Sequence, residues 1–272
     1  KKLSPWPPEC PHFLNYAKIK VAMKDASAER LAHFLLKKVS KAIRDYNMIE
    51  EGDRIAIAVS GGKDSLALLK LLQHYQRFSK EKFSLVAIHV VGDARGPNIP
   101  LHTPLEEWLK KQEIEYSIRP IYITENEELP MPCHRCTWNR RRTIFEMADE
   151  LGCNKVAFGH HLDDLAETAL LNLIYSGRSE TMVPAAKYFG GKFGLIRPLI
   201  YVPEYEIKRF ADVYGFPSPP PACPKSDDTK RRRMKELLEE IARDYSKARS
   251  NIVRAALSAQ ERDRDPRAKF TE

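Results

Sequence analysis

Four groups of residues in this 272-residue chain have the types and spacing to do chemistry. Ser60-Gly61-Gly62-Lys63-Asp64-Ser65 puts hydroxyl and ammonium donors on a glycine turn. The turn sits between an apolar, β-prone run (54–59) and leucines repeated at helical spacing (66–73). A loop so placed aims backbone N–H groups and the positive end of a helix at one point, which suits a phosphate. The spacing does not fit a Walker A box. The bland alternative is a Gly-Gly turn joining two core elements. A second loop, Gly159-His160-His161-Leu162-Asp163-Asp164, carries paired carboxylates. Either aspartate could move a proton or hold Mg²⁺, or merely cap the following helix. His160 and His161 fit site, packing and capping roles equally.

The third group is cysteine. Cys133 and Cys136 form a CxxC at the start of a helix pattern. Unpaired amides and the helix dipole there favour thiolates, which bind soft metals or run redox exchange. Cys223 is a third thiol in a plausible loop, whereas Cys153 reads as a small core residue and Cys10 as incidental. Five cysteines are an odd number and argue against a disulfide framework. Three readings stay open. Three thiolates without a fourth partner suit a cubane iron–sulfur cluster with one open iron. His134 or His160 could instead complete a zinc site. A redox pair is the third reading, although polar TENEELPMP replaces the strand that usually precedes one.

The fourth group is basic. Arg140–Arg142 and Lys230–Arg233 are charge runs, and residues 29–46 form a basic amphipathic helix. With a formal net charge of +8, these are candidate contacts for a polyanion such as RNA. Trp138 and Tyr175 are expected to pack inside, with base stacking the alternative use.

These groups need elements to position them. Strand patterns at 54–59, 84–91, 116–121, 154–158 and 194–199 alternate with helix patterns at 64–77, 103–112, 137–151, 163–175 and 204–214. That alternation predicts an α/β fold with a doubly wound parallel sheet. In strand order 3-2-1-4-5 the two loops flank the switch point where such sheets bind ligands. Residues 1–50 are expected to be an arm (irregular over 1–24) and an amphipathic helix. Residues 51–216 are expected to form the nucleotide domain. Residues 217–272 are expected to form a proline-rich cysteine loop, one charged helix and a frayed tail. No apolar run reaches the ~18 residues of a membrane helix. Nothing reads as a signal peptide, so a soluble, cytoplasmic protein is expected.

The loop SGGKDS resembles the PP-loop of ATP pyrophosphatases, which split ATP between its α- and β-phosphates and adenylate a carbonyl oxygen. Taken in order, SGGKDS, the CxxC before an arginine-rich helix, GHHLDDLAETALLNLIYSGR, IRPLIYVPEYEIKRFADVYGFP and the late Cys223 resemble the TtcA-type tRNA 2-thiolation enzymes over about residues 29–245. The resemblance implies a 4Fe-4S cluster on Cys133, Cys136 and Cys223, with ATP and Mg²⁺ as cofactors. It implies tRNA as substrate and a sulfur donor such as a cysteine desulfurase or free sulfide. A homodimer is compatible with it, and a membrane is not implied. Residues 60–65, His89, Gly159 and His160 would bind the nucleotide, with Lys63 and Asp163 or Asp164 catalytic. The implied reaction adenylates a pyrimidine 2-oxo group and replaces its oxygen by sulfur, forming 2-thiocytidine. The alternative is a PP-loop ligase with an amine nucleophile and a structural zinc. Two segments depart from the TtcA pattern: HVVGDARGPNIP after the second strand and PPACPKSDD around the late cysteine.

Overall fold

In the computed structural model, residues 11–221, 223 and 230–264 are described. Five parallel strands and one antiparallel strand form a single sheet in the order β3-β2-β1-β4-β6-β5. The strands are β1 (Arg54–Ala58), β2 (Ser84–Val91), β3 (Glu115–Pro120), β4 (Lys155–Ala157), β5 (Ala185–Tyr188) and β6 (Phe193–Ile196). The parallel strands have the expected 3-2-1-4-5 order, with β6 in fifth place. The antiparallel edge strand β5 was not expected. It is four residues of Ala-Ala-Lys-Tyr, too short and too polar to show a pattern.

The helices are α1 (Pro11–Asp45), α2 (Lys63–Phe78), α3 (Thr103–Lys110), α4 (Cys133–Glu150), α5 (Leu162–Ser176), α6 (Glu204–Tyr214), α7 (Lys230–Asp244) and α8 (Ala248–Arg264). Strand alternation builds a core on each face of the sheet. Ile55 and Ile57 point into the core that holds α1, α2 and α6, and Ala56 points into the one under α4. Leu66, Leu68, Leu69, Leu71 and Leu72 of α2 are all fully buried. Each such burial is worth about 1.5–3 kcal/mol, so α2 and the loop before it are held firmly on the sheet.

Two expectations about the ends of the chain are corrected. Residues 11–24 belong to α1 rather than to an irregular arm, and residues 1–10, with Cys10, lie outside the described residues. The charged C-terminal segment is two helices, not one. The chain turns at Tyr245–Lys247, so that Leu238 of α7 and Val253 of α8 both reach the main core beside α5. Among the described residues, no helix is long and apolar enough to cross a membrane.

Candidate active site

Strands β1 and β4 are neighbours, and each ends in a loop that opens a helix. The two loops touch through backbone. A Cβ on Gly159 would come within 3.0 Å of the Asp64 carbonyl and 3.1 Å of the Ser65 Cα, so only glycine permits this approach. Gly61 sits at φ +86°, and its missing side chain leaves room for Pro220, whose Cδ would be 2.9 Å from an added Cβ. The proline segment is therefore seated on the glycine loop. His102 Nε2 at 2.7 Å from the Ser218 carbonyl oxygen braces it from α3.

Hydrogen bonds within residues 60–65 fix the loop. The Ser60 amide donates to Ser65 Oγ (3.1 Å), Ser65 Oγ donates to the Gly62 carbonyl (2.9 Å), and the Gly62 amide donates to Ser60 Oγ (3.3 Å). The first amides of α2 have no intrahelical acceptor and face outward as anion donors. Lys63 Nζ lies 3.0 Å from both Asp64 Oδ1 and Glu204 Oε1. Burial disfavours its charge, but the two carboxylates outweigh this and hold the ammonium above the usual lysine range. Burial also opposes the charge of Glu204, yet Lys235 and Lys63 win and draw its pKa down to about 2.

A cavity of about 320 Å³ opens between the two loops. Ala58, Val59, Ile88, Val90, Ile144 and Phe158 form its apolar walls. Ser60, Asp64, Ser65, His160 and Asp164 form its polar rim with Arg140 and Arg231. Gly61, Gly62 and Lys63 line a second opening on the other side of the loop, where Lys208 adds a cation. His160 stacks on Phe158 with ring centroids 5.8 Å apart. Burial, reinforced by Arg197, lowers the His160 pKa to about 4 and keeps the ring neutral.

The paired aspartates diverge. Asp164 rims the cavity, with Oδ2 accepting from the His161 amide (2.9 Å) and Oδ1 from Arg231 (2.7 Å). Asp163 is absent from the cavity lining. Its carboxylate accepts from the Glu204 amide at 2.7 Å, capping α6, and pairs with Arg249 of α8 at 2.5 Å. His161 is buried and lies 3.6 Å from Asp64. His89, also buried, points Nδ1 at the Val59 carbonyl from 2.7 Å and lines a neighbouring cavity of about 530 Å³.

That neighbouring cavity is where cysteine enters. Cys223 lines it, together with Ser60, Gly92, Asp93 and Arg95. Cys136 is half-buried, and Cys223 lies near enough to act on its ionisation. Cys133 is exposed at the first turn of α4, and Cys153 is buried in the second core. The expected thiolate stabilisation is corrected at Cys136: burial pushes this thiol up, and Arg140 only partly offsets it. Among the described residues no three His, Cys, Asp or Glu side chains stand close enough to hold one metal ion. A polynuclear group would space its thiolates more widely than a single ion does. Sulfur donors on α4 and on the proline-rich segment, with Cys136 near enough to Cys223 to feel its charge, suit such a group in type.

Arg140 was read as a surface phosphate contact and turns inward instead. It donates to the Val90 carbonyl at 3.1 Å and to the Gly92 carbonyl, and it lines both cavities. Trp138 and Tyr175 were expected inside and are 51% and 46% exposed. Sequence reasoning missed Glu204 and Arg249, and gave Arg231 a phosphate contact where it pairs with Asp164 and Glu167. Glu204 opens a helix after a proline and looks like an ordinary first-turn acid, and the arginines sit in charge-rich runs that resemble solvated faces.

A strand–glycine loop–helix at the switch point, facing a second acidic loop, defines a PP-loop nucleotide-binding protein. The family described as PP-loop domain matches residues 29–218. The tRNA-cytidine(32) 2-sulfurtransferase of Alkalilimnicola ehrlichii is 39% identical over 238 residues, covering 85% of this chain and 74% of that protein. The enzyme of the same name from Syntrophotalea carbinolica is 38% identical over 243 residues, covering 86% of this chain and 92% of that protein. The fold matches the U34-tRNA thiolase NcsA from Methanococcus maripaludis, solved with its 4Fe-4S cluster, at TM-score 0.70 and 23% identity, over 86% of this chain and 80% of that one. The chain therefore belongs to the PP-loop family and, within it, to the family of the tRNA-cytidine(32) 2-sulfurtransferases.

Proposed function

We propose that this protein is an ATP-dependent tRNA sulfurtransferase that converts a cytidine 2-oxo group to 2-thio. The observation that carries the reading is that the nucleotide cavity and the cysteine cavity adjoin. Ser60, Val90 and Arg140 line both, so a base reaching the first stands beside the second. In the first step the 2-oxo oxygen attacks the α-phosphorus of ATP, an O–P bond forms and pyrophosphate leaves. Amides of the glycine loop and Lys63 face the growing phosphate charge with donors already in place. Asp64 and Asp164, 3.6 and 3.4 Å from His161 Nε2, would hold Mg²⁺ or a proton. Of the two paired aspartates, Asp164 takes this role, because Asp163 is committed to α6 and α8. In the second step a sulfur nucleophile attacks C2, the C–O bond breaks and AMP departs. Arg140 lies at the junction of the cavities, where it neutralises anionic sulfur and the leaving phosphate together.

Cys133, Cys136 and Cys223 would hold the cluster, which supplies an iron with an open position for an external sulfur ligand. Free sulfide would supply that sulfur directly, and a cysteine desulfurase would supply it as a persulfide that a thiol reductant cleaves to sulfide. The target base must leave its stack to enter the cavity.

Pyrophosphate and AMP release with tRNA, followed by mass spectrometry of the digested nucleosides, tests the reading. Wild-type protein should release one pyrophosphate per 2-thiocytidine formed. Cys223→Ser should still release pyrophosphate but form no thionucleoside. Normal thiolation by this variant would disprove the three-cysteine assignment, and a modified base carrying an amine would establish the ligase alternative.

A further inference from the structure

The basic face of α1 has a use that the reacting site does not explain. Its cations fall into two sets. Lys38 is drawn inward to Glu206 at 2.6 Å, and Lys41 pairs with Asp45 at 2.5 Å. His33, Lys37 and Arg44 share another face, spaced i, i+4 and i+11. They line an open groove of about 790 Å³ against the C-terminal end of α2, where Lys80 adds a third full charge. Among the described residues Lys37, Arg44 and Lys80 form no ion pair. The acid in the groove lining is Glu81, which accepts from Ser79 Oγ at 2.7 Å, keeps its negative charge and interacts with Lys80. Phe78 stands at the rim and is 78% exposed, the highest value among the exposed large hydrophobics.

Three full positive charges against one acid leave the groove lining net positive, and a polyanion bound there would release its counterions. An exposed aromatic at the rim suits a ribose or base edge and has no role toward a simple anion. The groove lies one length of α2 from the glycine loop, roughly 24 Å for its 16 residues. It cannot touch the reacting nucleotide, so its partner must be long. We propose that this groove is a docking surface for the phosphodiester backbone of the RNA substrate, at a helical arm remote from the nucleotide being modified. The inference rests on the functional reading above and adds where the substrate is held.

The test is the salt dependence of tRNA affinity for wild type and for the triple variant K37A/R44A/K80A. Each lost phosphate contact flattens the log–log slope by about 0.7–0.9, so the triple variant should be less steep by about 2–3. Its KM for tRNA should rise while kcat at saturating tRNA and the affinity for ATP stay unchanged. Each single variant should flatten the slope by about one, which keeps the test open should the triple variant fold poorly. Lys37→Arg with Lys80→Arg should keep the wild-type slope. If the triple and single variants all bind tRNA with the wild-type slope, the groove is not an RNA surface. Wild-type protein that binds tRNA steeply but releases no pyrophosphate would refute the functional reading and leave the groove result standing.

Discussion

Asp163 and Asp164 are adjacent, chemically identical and used differently. Asp163 ties two helices together, and Asp164 faces the cavity. Asp163→Asn strands the charge of Arg249 in a site where that side chain is only 22% exposed. It should cost about 1–3 kcal/mol in urea unfolding while pyrophosphate release stays within a few-fold of wild type. Asp164→Asn should leave stability nearly intact and slow pyrophosphate release by about 10²-fold or more. The reverse pattern would exchange their roles. His160 gives a pH test. Its folded pKa of about 4 lies below the unfolded value of 6.5. As pH falls through this window the unfolded state takes up a proton that the folded state refuses. The stabilisation is therefore complete above pH 6.5 and is lost progressively toward pH 4. Wild type should lose about 2 kcal/mol more than His160→Gln between pH 7 and pH 5, measured by urea melts. Equal losses would show that the ring ionises freely.

At the scale of elements, α7 and α8 close the site by gripping its carboxylates. Arg231 reaches Asp164 at 2.7 Å and Glu167 at 2.8 Å, Lys235 reaches Glu204 at 2.8 Å, and Arg249 reaches Asp163 at 2.5 Å. Exposed pairs would contribute little, but Glu167 is 7% exposed and Glu204 12%, so losing a partner leaves a desolvated charge. Burial raises the Glu167 pKa and Arg231 opposes that rise. Arg231→Ala should therefore loosen α7 specifically. Amide exchange measured by mass spectrometry should quicken about tenfold over residues 230–244 and stay unchanged over 63–78. Uniform quickening of both segments would mean that α7 is part of the global folding unit and not a separately docked clamp.

Over the whole molecule, the formal charge of +8 describes the protein less well than where its cations go. Lys63, Lys235, Arg231 and Arg249 are consumed by acids around the nucleotide site, and Arg140 by the carbonyls of β2. Arg232 and Arg233, in the run that looked freest, face Glu236 on their own helix. Lys37, Arg44 and Lys80, by contrast, gather in the groove between α1 and α2. A charge count cannot make this distinction, because pairing depends on residues far apart in the chain, such as Lys38 and Glu206.

By itself the sequence determined the alternation of strands and helices and the glycine loop that opens α2. These are local properties. Hydrophobic period, glycine placement and turn chemistry act over a few residues and are read wherever they occur. Cys133, Cys136 and Cys223 could be singled out by type, because so few other groups offer soft ligands. Only the tertiary structure decided which aspartate faces the cavity, that Arg140 turns inward to join two cavities, and that Pro220 sits on Gly61. Each of these depends on the packing of segments more than forty residues apart, and the energy of such contacts leaves no mark on the local pattern of either partner.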